Sequence, residues 1–104
     1  MKLNIDTSHR DRVILEVDGK KYEAGAKKDK SQKLLPFITE VLEKEGKTMD
    51  DLTKVEVNTG PGSFTGLRVG VAVAQTLGWV LDIPVNGKRM KKGEVIEIDY
   101  EENK

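Results

Sequence analysis

Cysteine is absent from this chain and His9 is its only histidine. Those two gaps exclude the usual zinc sites, paired-histidine metal sites and Cys/His nucleophile arrangements within one chain. Carboxylates, hydroxyls and backbone groups remain for any chemistry. Charge of one sign is also missing: 18 basic and 18 acidic residues cancel, although charged residues make up 35% of the sequence. No global field therefore draws the protein toward nucleic acid or a membrane. No apolar run near about 18 residues and no basic-then-apolar leader is read, since Met1 enters directly into a strand-like segment. A soluble, cytoplasmic protein with no membrane partner is the expectation. At 104 residues the chain is one domain, too short for a two-lobed enzyme with a cleft between domains.

What is present is a glycine loop, Gly60-Pro61-Gly62-Ser63-Phe64-Thr65-Gly66-Leu67-Arg68, between a β-branched run and an apolar helical pattern. Gly60 and Gly62 permit backbone angles closed to other residues, Pro61 fixes one dihedral between them, and Ser63 or Thr65 can cap the new helix. Unpaired N–H groups at that start would attract an anion. Three catalytic or nucleotide signatures are nevertheless excluded. A phosphate-binding loop needs Gly-Lys-Ser/Thr, and no lysine lies between Lys54 and Lys88. A dinucleotide fingerprint needs glycine where Thr65 stands, and Gly66 comes one residue late. A serine elbow around Ser63 needs glycine where Pro61 and Thr65 are. The loop reads as a tight structural connection, with phosphate binding as the alternative.

Alternation places strands at Leu3–Asp6, Val13–Val17 and Lys20–Ala24, the last two joined by the hairpin turn Asp18-Gly19. Leu34, Leu35, Ile38, Val41 and Leu42 recur at helical spacing up to Gly46, with Pro36 placed in the first turn. Thr48 to Asp51 resembles a capping box, and Val55–Asn58 is a fourth strand. The pattern predicts a long helix over Gly66–Leu81, uncharged beyond Arg68. Leu67, Gly70, Val71, Ala74, Leu77, Gly78 and Leu81 share one arc of it, and Val69, Val73, Thr76 and Val80 the next. Arg68, Ala72, Gln75 and Trp79 are left for solvent. A sheet covers one arc; a second element or a partner protein must cover the other. Ile83–Asn86 reads as a fifth strand, and Val95, Ile96 and Ile98 as a sixth at a sheet edge. The lysines Lys27, Lys28, Lys30 and Lys33 read as a solvated loop, interrupted by Asp29 and without interleaved aromatics for base stacking.

Ile5-Asp6-Thr7-Ser8, Ser31-Gln32-Lys33-Leu34-Leu35-Pro36, and Gly60 to Arg68 followed by Val69-Gly70-Val71-Ala72 resemble the TsaB (YeaZ) family. The similarity runs from Met1 to about Gly87. It implies an α/β fold of ribonuclease-H-like type, as in the actin and sugar-kinase superfamily: one domain over 1–87, a mixed sheet of about five strands and two main helices. Residues 88–104 are then a charged tail. Beyond Gly87 the family's second domain has no counterpart in this sequence.

The resemblance also implies a role: a non-catalytic subunit in making threonylcarbamoyladenosine in tRNA. In that scheme a TsaD-like partner does the transfer, a TsaE-like ATPase docks on the pair, and contact with tRNA is indirect. The helices expected to contact a TsaD-like partner, or a second copy in a homodimer, carry Leu34, Leu35, Ile38, Val41 and Leu42, and Val69, Gly70, Val73, Ala74, Leu77, Gly78, Val80 and Leu81. No metal or resident cofactor is implied, and ATP with magnesium only within a complex, since the superfamily holds nucleotide between two domains. The rival reading is a nucleotide sensor or enzyme in a homodimer, using Asp6, Thr7 and Ser8 with Gly60, Gly62, Ser63, Thr65 and Gly66. A remnant without a partner is the third.

Overall fold

Period-two alternation governs the first quarter of the chain. In the computed structural model, which describes residues 1–99, that alternation becomes a sheet whose buried side chains all face one way. β1 (Lys2–Asp6) buries Leu3 and Ile5; β2 (Arg12–Val17) buries Val13, Leu15 and Val17. β3 (Lys20–Gly25) returns antiparallel to β2 through Asp18 and Gly19, both at positive φ, the backbone that a two-residue hairpin of this kind requires. β4 (Lys54–Val57) pairs parallel with β1, giving the order β3-β2-β1-β4.

The mixed sheet thus has four strands rather than five. The segment expected as the fifth contributes one parallel bridge, Val55 to Val85. Pro84 has no N–H to donate, and Asn86 turns away at φ 49. Its side-chain amide takes over instead: Oδ1 accepts from Val57 N–H at 2.8 Å and Nδ2 donates to Val57 C=O at 3.1 Å. The sixth strand does not form among the described residues either. Residues 94–99 lie irregularly along the second helix: Ile96 N–H donates to Gln75 Oε1 and Asp99 N–H to Thr59 C=O, while Ile96 and Ile98 pack on the core. Residues 100–104 of the expected tail lie outside the described residues.

Both helices cover the same face of the sheet. α1 (Lys30–Lys44) begins a turn earlier than Leu34, so Pro36 sits inside it, on the exposed side. The early start has a cause: Lys30 is only 6% exposed and its ammonium donates to His9 C=O, while Asp29 C=O accepts from Gln32 and Lys33 N–H. The far end of α1 is tied to β3, where Tyr22 Oη–H donates to Glu45 Oε2 and Lys20 pairs with the same carboxylate at 3.4 Å.

α2 (Phe64–Leu81) packs on β1, β4 and α1. With Arg68 its only charge, it is long and apolar enough, by length and composition, to cross a membrane, contrary to the reading of no such run. Burial of Leu67, Val71, Ala74 and Leu77 over the sheet accounts for that composition. The other sheet face, with Asn4, Asp6, Ile14, Glu16 and Glu56, is polar, half-buried and uncovered by either helix.

Candidate functional site

Because β1, β3 and β4 run in one direction, three chain segments meet at one end of the sheet: the β1–β2 turn, the segment that opens α1, and the loop after β4 that opens α2. The chain leaving β1 runs hard against the start of α2. Thr7 is fully buried, and its hydroxyl donates to Gly66 C=O at 2.6 Å; Ser63 N–H donates to Ser8 C=O at 2.6 Å. A Cβ on Gly66 would collide with the Thr7 carbonyl, one on Gly70 with the Thr7 side chain, and one on Gly62 with Ser8. Those glycines allow close approach of two backbones. Ser63, not Thr65, caps α2, its Oγ accepting from Gly66 N–H.

Asp6 closes the same junction from the other side. Its Oδ1 accepts from Ser8 N–H at 2.9 Å, Ser8 Oγ–H at 2.6 Å and Asn58 Nδ2 at 3.1 Å, and His9 Nε2 stands 3.7 Å from Oδ2. Asn58 Oδ1 in turn accepts from Gly60 N–H at 2.8 Å. Partial burial pushes the Asp6 carboxyl up, but the Ser8 and Asn58 hydrogen bonds and His9 outweigh it and hold the carboxyl below its ordinary value. Among the described residues no group of three or more His, Asp or Glu is placed to hold a metal.

Beside this junction lies an open cleft of about 920 Å³ between the first turns of the two helices. Arg10, Lys27, Lys28 and Lys30 line it with His9, facing the loop residues Gly62 to Gly66. Spacing along the sequence does not show this grouping: the lysines read as a solvated loop, and nothing local marks Arg10 or brings His9 beside them. The signal is topological: β1, β3 and β4 run in one direction, so the segments that follow them start at a common end.

The residues expected to contact a partner divide sharply. Leu34, Ile38, Val41 and Leu42 of α1, and Gly70, Ala74, Leu77 and Gly78 of α2, are buried within this chain, so that part of the expectation is corrected. They are the sheet-facing arc; Gly78, for instance, lies against Val85, Ile83 and Met90. Outside remain Leu35 at 46% exposure and Val80 at 67%, with Val69, Val73 and Leu81 half-buried. Ser31 of α1 and Phe64, Arg68, Val69, Ala72 and Val73 of α2 line a shallow, largely apolar groove on this outer side. Arg68, Ala72 and Trp79 face solvent as expected, whereas Gln75 is half-buried under the Ile96 strand of chain.

Similarity to known proteins follows the same outline. The chain superposes with TM-score 0.68 and 30% identity on "YeaZ from Pseudomonas aeruginosa", over 81% of this chain and 41% of that one. The fold is accordingly a ribonuclease-H-like domain of the actin and sugar-kinase type. A family model described as "TsaD: tRNA N6-adenosine threonylcarbamoyltransferase" matches residues 23–87. The chain belongs to that family, on its TsaB (YeaZ) branch. It is 39% identical over 84 residues to the tRNA threonylcarbamoyladenosine biosynthesis protein TsaB of Bacillus subtilis, covering 81% of this chain and 34% of that protein. Against Escherichia coli TsaB the identity is 33% over 60 residues, 58% of this chain and 26% of that protein. The chain thus spans between about a quarter and a third of the length of these curated relatives.

Proposed function

We propose that this chain serves tRNA threonylcarbamoyladenosine biosynthesis as a non-catalytic, TsaB-like scaffold domain, docking through the outer side of its two helices on a TsaD-like subunit or a second copy of itself. The relatives' names support the pathway. The docking mode rests on one observation: α2 keeps an apolar row, half-buried Val69 and Val73 and exposed Val80, beyond the arc the sheet covers, with Leu35 of α1 exposed as well. Enclosing each such side chain contributes up to about 1.5 to 3 kcal/mol, so a handful sustains association. The non-catalytic role accords with the lack of cysteine, the single histidine and the full use of Asp6 Oδ1 by its own neighbours. A cytoplasmic setting, a TsaE-like ATPase and indirect contact with tRNA belong to the same proposal.

Sedimentation of the chain alone, and mixed with the TsaD-like subunit of its host, tests this. A homodimer or a one-to-one complex is expected. Leu35→Glu with Val80→Glu, both outside the core, should weaken association at least about tenfold while the melting curve stays cooperative. A wild-type chain that remains monomeric at high concentration and ignores the TsaD-like subunit would overturn the proposal.

A further inference from the structure

We propose that residues 94–99 are a latch: an extended strap whose seat along α2 fixes the loop after β4 and, through Asn58, the surroundings of Asp6. The strap lies beyond residues 23–87, which the family model matches, and its action does not depend on the scaffold role.

The strap alternates as a strand would, with Ile96 and Ile98 half-buried on the core and Val95, Glu97 and Asp99 exposed. It pairs with no strand among the described residues. Side chains and one loop carbonyl tie its backbone down instead. Ile96 N–H donates to Gln75 Oε1 at 3.3 Å, Lys88 Nζ to the Val95 carbonyl at 3.2 Å, and Asp99 N–H to the Thr59 carbonyl at 2.7 Å. Two half-enclosed side chains and bonds to flexible partners make a segment that opens at far less cost than the sheet beneath it.

The near end of the strap is anchored. Met90 is buried beside Gly78, and Glu94 Oε1 accepts from Arg89 N–H at 2.6 Å. Gly93 between them, at φ 81 with nothing within 4 Å of a would-be Cβ, has room to change direction.

The far end carries the coupling. The Asp99 carbonyl stands 2.7 Å from where a Cβ on Gly60 would be, so strap and loop meet backbone to backbone. Gly60 N–H donates to Asn58 Oδ1 at 2.8 Å, and Asn58 Nδ2 donates to Asp6 Oδ1 at 3.1 Å. The Asn58 backbone is held by the Ile5 carbonyl at 2.9 Å, so its carboxamide is the part that turns, and Gly60 sets its direction. Contact therefore runs unbroken from strap to carboxylate through one rotatable amide, the two-position element that coupling requires. With the strap seated, Asp6 keeps its Asn58 donor; with the strap lifted, Thr59 and Gly60 lose their neighbour and Asn58 its orientation.

Hydrogen exchange and carboxyl titration by NMR on the full chain test the latch. Ile96→Ser with Ile98→Ser lifts the strap, and Val95→Ser, on its exposed side, is the control. The double variant should lose about tenfold or more of the protection at the Gly60 and Ser8 amides, while amides within β2 and β3 keep theirs. The Asp6 carboxyl should titrate higher than in wild type, because a donor to its charged form is loosened. In an Asn58→Ala background the same strap changes should leave Asp6 where Asn58→Ala alone puts it. Gln75→Ala, which removes one anchor, should move the same readouts in the same direction by less, and it decides should the double variant not fold. Equal loss of protection in β2 and β3 overturns the proposal, since the strap would then only add stability. So does an Asp6 titration that strap release leaves unmoved, that still moves without Asn58, or that moves as far in Val95→Ser.

Discussion

Thr7 Oγ1 donates a 2.6 Å hydrogen bond to the Gly66 carbonyl, joining the end of the first strand to the first turn of the second helix across 59 residues of sequence. The helix can come this close only because residue 66 has no side chain. The bond is wholly buried, so its geometry is held by packing on both sides.

Gly66→Ala should therefore destabilise the fold although alanine is the better helix former by about 1 kcal/mol. The new methyl meets the Thr7 carbonyl, and backbone cannot yield as a flexible side chain can; a loss of about 2 kcal/mol or more is expected from urea unfolding. Gly25→Ala is the comparison: nothing lies within 4 Å of its would-be Cβ, so a change within about 0.5 kcal/mol is expected. Thr7→Val, which keeps the shape and removes the hydroxyl, should cost about 1 kcal/mol.

Asp6 sets an acid-side dependence. Its folded carboxyl lies below the ordinary value of 3.8 because Ser8, Asn58 and His9 outweigh partial burial. A depressed folded pKa gives stability that is fully present above the unfolded value and disappears as pH falls through the folded one. Asp6→Asn should thus be less stable than wild type at neutral pH, and the gap should close below pH about 4. Unfolding free energies at several pH values check this; a gap that is constant from neutral to strongly acid pH would remove the charge from the explanation.

Periodicity made most of this fold readable. Val13, Leu15 and Val17 announce a one-sided strand, and Asp18-Gly19 its hairpin, because both signals act between near neighbours. The same local character explains the misses. Nothing local to Pro84 and Asn86 reveals that a side-chain amide will replace a strand's backbone beside Val57. Nor does spacing along α1 reveal that Lys30 packs its side chain down, donates to the His9 carbonyl and starts the helix early. On α2, spacing separated two apolar arcs correctly as geometry but could not say which one the sheet takes. Gly70, Ala74 and Gly78 decide it, since small residues let the helix settle against Thr7 and Val85. The basic side of the cleft follows from the β1-β2-β3 meander, but the glycine loop opposite it is placed by the parallel β1–β4 pairing, a contact between residues far apart in sequence.

The strap of residues 94–99 should carry measurable stability. Ile96 and Ile98 are half-buried on the core, and the strap is anchored where Ile96 N–H donates to Gln75 and Asp99 N–H to Thr59. Ile96→Ala and Ile98→Ala should each cost about 1 kcal/mol, since the side chains are only partly removed from water. Val95→Ala, on the exposed side, should change stability by less than about 0.5 kcal/mol. Equal behaviour of all three in urea unfolding would mean that the strap does not hold to α2 in solution.

Ala74 and Val80 lie on adjoining arcs of one helix, and placing the same cation at each distinguishes the inside of this protein from its outer face. Ala74 is fully enclosed between α2 and the rest of the core, so Ala74→Arg forces a guanidinium into a site with neither room nor counter-charge. A loss beyond about 4 kcal/mol is expected, enough to abolish cooperative melting in a domain of this size. Val80 is 67% exposed, and its replacement by arginine leaves the charge in water. Val80→Arg should melt as wild type does, within about 0.5 kcal/mol, while losing association with any partner seated on the outer face. If instead Val80→Arg unfolded the chain and Ala74→Arg were tolerated, the arc assigned to the sheet and the arc assigned to the partner would have to be exchanged.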